Sequence, residues 1–315
     1  MSILVMKEIH PGSNPLVSII INCHNGGKYL HDAIKSILED KYPNKEIIFF
    51  DNCSTDNSVD IAASFDSNLI KIFSSNCFVP LGSARNLALG YVNGKYICFL
   101  DSDDLFLKDR LAKQVLLHET SSYPLSFGGA ELYFQDSDKY KTSKPVYKSG
   151  QFLDSILKRF NVTFSSLMFS RDYQVSNGIK FNENLTYAED FDFYLKFALD
   201  NEVGVIQESL VVYRVHEEAL TNKTSDIVAD EILEIISSIK DHKIFKISKY
   251  QKALKFLELK TFYYEALSDL KCNNLKGAIL HLNSIKFKSI KFFAVYVLFL
   301  MPIKNKFKLR ILNRH

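Results

Sequence analysis

Three carboxylates crowd into four positions at the end of a strongly apolar run. The stretch "YICFLDSDDLF", residues 96–106, drives into Asp101, Asp103 and Asp104. Like charges this close raise one another's pKa unless something cationic sits among them. Carboxylate oxygens are hard ligands, suited to Mg2+ or Mn2+, which share their shell with phosphate oxygens and water. The chemistry on offer is a divalent ion held against a phosphorylated ligand. A lone DxDD also reads as a solvated acidic turn. What favours the ligand reading is its place after a buried strand.

The elements around it supply the position. "LVSIIIN" (16–22), "KEIIFFD" (45–51), "LIKIFS" (69–74) and "KYICFLD" (95–101) are apolar runs of strand length. Between them, "YLHDAIKSILED" puts Leu30, Ala33, Ile34, Ile37 and Leu38 on one helical face. "STDNSVDIAASF" predicts a helix capped by Ser54 or Thr55, and "LGSARNLALGYVNG" one ended by Gly94. Strands alternating with helices argue for parallel βα units with both faces covered. In such sheets ligands bind beyond the carboxyl ends of the strands. "NCHN" (22–25), "DNCSTD" (51–56) and "DSDD" (101–104) all lie there. Further on, "LSFGGAELYF", "SSLMFS" and "LVVYRVH" read as strands, "EDFDFYLKFALDN" as a helix, and the chain from about 225 as mostly helical.

The net charge of +3 over 315 residues hides an asymmetry. Residues 243–315 carry 16 Lys and Arg against 3 Asp and Glu, so the remainder is acidic. An acidic body with a basic tail suggests a catalytic domain beside a segment facing an anionic surface, and calls for no nucleic-acid partner. Five cysteines without CxxC or CxxH spacing point to reduced thiols in a cytoplasmic setting. No secretory signal or 18-residue apolar span is evident.

The blocks "VSIIINCHNGGKYLHDAIKSIL", "IIFFDNCSTDNSVDI", "GSARNLALGYVNGKYICFLDSDDLF" and "YAEDFDFYLKFA" occur in that order. Over about residues 15–217 the chain thereby resembles the family 2 glycosyltransferases of bacterial surface-glycan type. The resemblance implies an α/β GT-A fold, a Rossmann-like mixed sheet flanked by helices, with a C-terminal helical extension. It places a catalytic domain at 1–222 (donor half about 15–105, acceptor half about 106–222) and a basic helical region at 223–315. It implies a nucleotide-diphospho-sugar donor, UDP-linked by preference, a glycan or lipid-linked acceptor, Mn2+ or Mg2+, and inversion at the anomeric carbon.

Residue by residue, the resemblance puts Asn22, His24 and Asn25 in the loop that cups the base, with His24 where the family commonly stacks a Tyr. "DNCSTD" matches the family's DDGSTD. Asp51 fits, but Asn52 replaces the Asp expected to accept from a pyrimidine N3–H, a role an amide can also fill. "GSARN" places Arg85 near the diphosphate, early in a helix where orphan N–H groups also favour phosphate. Asp101 and Asp103 match the DxD motif, Asp103 as metal ligand and Asp101 toward ribose or Arg85. Asp190 of the ED block is the implied general base. His216 fits a late metal or diphosphate ligand.

Two other readings remain open. A sugar nucleotidyltransferase of the same fold would want a GxGxR-like loop, where this chain has Gly26-Gly27-Lys28. A non-catalytic nucleotide- or glycan-binding module is the other, against which Asp103, Asp190 and Arg85 stand together. A dinucleotide-binding oxidoreductase lacks its GxGxxG. The run 285–315 has an apolar centre from Phe292 to Ile303 with lysines on both sides. It reads either as a peripheral anchor on the inner face of an anionic membrane or as a helix packed on the body or in a homodimer.

Overall fold

The structure, a computed structural model, describes residues 14–216, 227–301, 304, 305 and 308. The expected domain boundary at 222 and the basic residues Lys306, Arg310 and Arg314 lie outside the described residues. The described chain divides into two compact units. Residues 14–152 and 161–216 form the first; residues 153–160 join those from 227 onward in the second.

In the first unit nine strands form one mixed sheet. They are β1 (Val17–Cys23), β2 (Lys45–Asp51), β3 (Ile70–Ser74), β4 (Tyr96–Phe99), β5 (Leu105–Phe106), β6 (Leu125–Phe134), β7 (Lys139–Ser143), β8 (Met168–Ser170) and β9 (Gly204–Val215). Their order is β3-β2-β1-β4-β8-β6-β9-β5, with β7 on β6. The first four run parallel, as the βα alternation predicts; β8 then enters antiparallel against β4. Successive residues of a strand point to opposite faces. β2 is buried at every position and β1 at all but Asn22, so both sheet faces are covered.

Helices α1 (Gly27–Glu39), α2 (Ser58–Ala63), α3 (Leu81–Leu89), α4 (Arg110–Thr120), α6 (Arg171–Ser176) and α7 (Glu189–Ala198) belong to this unit. α1 buries Leu30, Ala33, Ile34 and Ile37, the face its spacing predicts. Two expected helix ends move. α2 begins at Ser58, not after Ser54 or Thr55, because those two residues belong to a loop tied to Asp51 and Asn25. α3 ends at Gly90 rather than Gly94. Gly94 serves a close approach instead: a Cβ there would sit 2.5 Å from the Ser18 backbone nitrogen.

Register puts the polar clusters at one edge. Cys23 pairs with Asp51, and Leu100 N–H donates to the Ile20 carbonyl. The loops that begin at His24, Asn52 and Asp101 therefore leave the sheet from its carboxyl edge. Gly26 closes the first of these loops onto the third, where a Cβ would lie 2.7 Å from Ser102 Oγ.

The second unit is helical: α5 (Leu153–Lys158), α8 (Val228–Ile239), α9 (Ser248–Lys271), α10 (Leu275–Ile285) and α11 (Ile290–Leu300). Its core joins Ala266 and Leu270 of α9, Ala278, Leu282 and Ile285 of α10, and Phe292 and Phe299 of α11. No helix among the described residues is long and apolar enough to cross a membrane. The five cysteines are all free.

Candidate active site

The DSDD loop separates its three carboxylates by role. Asp104 turns inward and is buried. Ser165 Oγ donates to its Oδ2 at 2.6 Å and the Arg214 N–H to its Oδ1 at 3.0 Å. Burial, then the like charges of Asp103 and Asp101, push its carboxyl well above the ordinary range. Asp104 thus locks the loop to the end of β9. Asp103 stays partly open, with Oδ2 3.0 Å from His216 Nε2. Arg214 Nε bonds the Asp103 carbonyl at 3.0 Å, and its guanidinium lies over the Tyr29 ring at 4.6 Å. Chain positions 103 and 216 meet because β5 and β9 are antiparallel neighbours, Leu105 opposite Val212.

Asp101 joins a different group. Arg85 Nη2 is 3.1 Å from Asp101 Oδ1, and Nη1 is 2.8 Å from Glu189 Oε1. The guanidinium is 3% exposed and stacked 3.8 Å from the Phe164 ring centre. Burial lifts Glu189 to about 8 against the pull of Arg85. Burial likewise lifts Asp190 to about 6, with Arg85 opposing and Asp101 adding to the rise. The Phe191 N–H holds Asp190 Oδ1 at 2.6 Å. A carboxylate poised near neutrality can take a proton from a hydroxyl.

The remaining loops form a third group. His24 Nδ1 donates to the Asn52 carbonyl at 2.9 Å, and its ring lies 4.6 Å from that of Phe78. Asn25, at φ 54°, accepts the Thr55 N–H on Oδ1 at 2.8 Å. Asp51 is buried and both its oxygens face the Ser54 N–H. Among the described residues no hydrogen bond reaches the Asn22 amide, although both its polar atoms are shielded.

Asn52, the position the resemblance assigns to the pyrimidine, donates its Nδ2 to the Val79 carbonyl at 2.8 Å and accepts the Val79 N–H on Oδ1 at 3.1 Å. The amide clasps a peptide group in the loop before α3. Arg85, which the resemblance puts near the diphosphate, directs one terminal nitrogen to Glu189 and the other to Asp101. Ser165, Phe78 and Phe164 were missed. Phe78 sits in the loop before α3. Phe164 and Ser165 belong to a 3-10 turn that overlaps the run SSLMFS, which predicts strand; the strand itself begins only at Met168, and only the fold brings these residues to the edge.

For a metal, the fit rests on Asp103 and His216. A hard carboxylate and an imidazole at 3.0 Å make a mixed pair suited to Mn2+. No group of three or more His, Cys, Asp or Glu among the described residues could hold a metal by itself. Such a pair needs phosphate oxygens and water to complete a shell.

With this geometry in place, comparison with known proteins is specific. The model described as "Glycosyl transferase family 2" matches residues 18–179. Escherichia coli WfaP, described as a UDP-Glc:alpha-D-GlcNAc-diphosphoundecaprenol beta-1,3-glucosyltransferase, is 31% identical over 244 residues, 75% of this chain and 92% of its own. S. aureus TarS 1-349 in complex with UDP-GlcNAc has a TM-score of 0.68 at 18% identity, over 86% of this chain and 80% of that one. The mannosyltransferase PcManGT from Pyrobaculum calidifontis, in complex with GDP-Man and Mn2+, has a TM-score of 0.61 at 18% identity, over 91% and 80%. The two structures share the GT-A fold with this chain. The family match spans the sheet edge that carries Asp101 and Asp103, and WfaP matches across most of both chains, so this protein belongs to glycosyl transferase family 2.

Proposed function

We propose that the chain transfers a hexose from a nucleotide-diphospho-sugar, UDP-linked by preference, to a hydroxyl of a glycan or lipid-linked acceptor with inversion. One observation carries this reading. Arg85 joins Asp101 of the DSDD loop to Glu189, the neighbour of Asp190. The acidic loop and the ED helix are therefore parts of one site.

Asp190 is the base. It accepts the acceptor's hydroxyl proton as that oxygen bonds to the anomeric carbon. The bond from that carbon to the phosphate oxygen breaks, and the nucleoside diphosphate leaves. A single displacement inverts the centre. Arg85 holds Asp101 and Glu189 so that Asp190 sits at a fixed place. The His24 ring, braced at 58° by that of Phe78, offers the base a flat face, with Asn22, Asn25 and Asp51 lining or bracing the same loops. Asn52 contributes through the loop it clasps. Asp103 and His216 would hold Mn2+ or Mg2+, which when bound neutralises the charge gathering on the departing diphosphate.

The acceptor class is supported by WfaP, whose description names a diphosphoundecaprenol-linked substrate. An acceptor on a lipid carrier, together with the basic region from residue 243, supports peripheral association with the inner face of an anionic membrane. A screen of UDP-, GDP- and dTDP-sugars, with and without Mn2+, tests the central claim. Metal-dependent consumption of one donor is expected. Failure to turn over any of them, with binding of nucleotide alone retained, would return the chain to the non-catalytic reading. Formation of a sugar nucleotide from a sugar phosphate would favour the nucleotidyltransferase.

A further inference from the structure

α11 is apolar on two faces. Phe292 and Phe299 point into the core of the helical unit. Ile290, Phe293, Leu300 and Met301 are exposed, at spacings that return to one stripe of the helix. Phe287, just before the helix, adds to the same end. Phe287 is 80% exposed and Ile290 86%. A contiguous apolar face of this kind on a folded protein marks an interaction surface.

Charge says what the surface fits. Lys288, Lys291 and Lys304 are exposed around the stripe. No Asp or Glu follows Asp269 anywhere in the sequence. Of the lysines that follow the apolar run, Lys308 is buried, with Nζ 2.7 Å from the Phe299 carbonyl, where it closes the end of α11. Its ammonium holds the helix in place and leaves Lys288, Lys291 and Lys304 to face outward. The 11 residues of α11 make a rod of about 16 Å. A hydrocarbon core of about 30 Å rules out spanning and leaves lying in the surface.

We propose that α11 lies in the headgroup plane of an anionic bilayer. Phe287, Ile290 and Phe293 enter the acyl boundary, and Lys288, Lys291 and Lys304 meet lipid phosphates. This deepens the membrane association proposed above and rests on it.

The chain contains no Trp, so one introduced indole reports alone. Phe287→Trp, Ile290→Trp and, as a control in the same unit, the exposed Ile247→Trp are titrated with vesicles of phosphatidylcholine alone or with phosphatidylglycerol. A blue shift and quenching by brominated acyl chains are expected at 287 and 290 with anionic vesicles, and at neither with neutral ones. Ile247→Trp should respond to neither. Ile290→Asp/Phe293→Asp should lower the vesicle-bound fraction at least ~10-fold, since the apolar and ionic parts act together. Donor hydrolysis measured without lipid in the same variants reads the enzymatic proposal separately. Unquenched indoles at 287 and 290 on vesicles that bind the protein overturn the assignment. So does a concentration-dependent dimer that buries both indoles without any lipid response.

Discussion

Arg85 Nη1 and Glu189 Oε1 stand 2.8 Å apart across 104 residues of chain, both buried. Glu189 Oε2 is shielded and has no hydrogen bond among the described residues. With Asp101 and Asp190 close by, ionising every carboxyl would put three negative charges around one guanidinium. Burial raises Glu189 to about 8, so at pH 7 it largely keeps its proton while still accepting from Arg85. Glu189→Gln is therefore expected to keep stability within ~1 kcal/mol, because the amide copies a neutral acid. Glu189→Ala removes a partner from a buried cation and should cost ~3–5 kcal/mol. Urea unfolding at pH 7 separates them; equal losses would mean that Glu189 is ionised.

The same group sets a pH dependence. A carboxyl raised on folding stabilises fully below its ordinary value of 4.5, and that contribution is lost as pH rises through about 8. Stability should fall between pH 5 and 8, with a shallower slope in Glu189→Gln. Unfolding midpoints across that range measure it. A steeper slope in the variant would reverse the assignment.

Asp190 must be ionised to accept a proton. With its carboxyl at about 6, kcat should fall tenfold per pH unit below that value and level off above it. Asp190→Asn should lower kcat by at least ~10²-fold while nucleotide affinity stays within a few-fold. Near-normal turnover would move the role to Asp192.

The proposed metal site rests on Asp103 and His216. Asp103→Asn should abolish Mn2+-dependent binding of the nucleotide in calorimetry while leaving the fold intact. His216→Ala should raise the Mn2+ requirement at least ~10-fold, the scale on which even outer partners of a metal matter. An unchanged requirement would make His216 a structural partner of Asp103.

The parallel half of the sheet was legible because buried strands are unbroken apolar runs and their loops carry the polar residues. β6 was legible to the residue, as Leu125–Phe134. What could not be read was anything set by non-local partners. Nothing near Ser165 in sequence says that its hydroxyl will reach Asp104. Arg85 on a short helix reads the same whether it faces phosphate or two carboxylates, since both are anionic. The start of α2 moved to Ser58 because Asp51 and Asn25 take the Ser54 and Thr55 N–H groups into a loop.

Asn52 stands where the resembling family commonly has Asp, which makes Asn52→Asp informative. The amide donates to the Val79 carbonyl at 2.8 Å and accepts from the same residue's N–H. An aspartate keeps the acceptor but sets a carboxylate oxygen against a carbonyl oxygen. The part-buried Val79 carbonyl then lacks its donor, a loss of ~1 kcal/mol. That energy acts on the 75–80 loop, because Asn52 itself remains in place at the end of β2. Phe78, 60% exposed on that loop, is a chymotrypsin site. Cleavage after Phe78 should quicken in Asn52→Asp, while the sheet's far-UV circular dichroism stays constant. Nucleotide affinity should fall too, since Phe78 would no longer be held beside His24. A loop that resists the protease as well as before, with tighter UDP binding, would show that position 52 reads the base directly and that its hold on Val79 is replaceable.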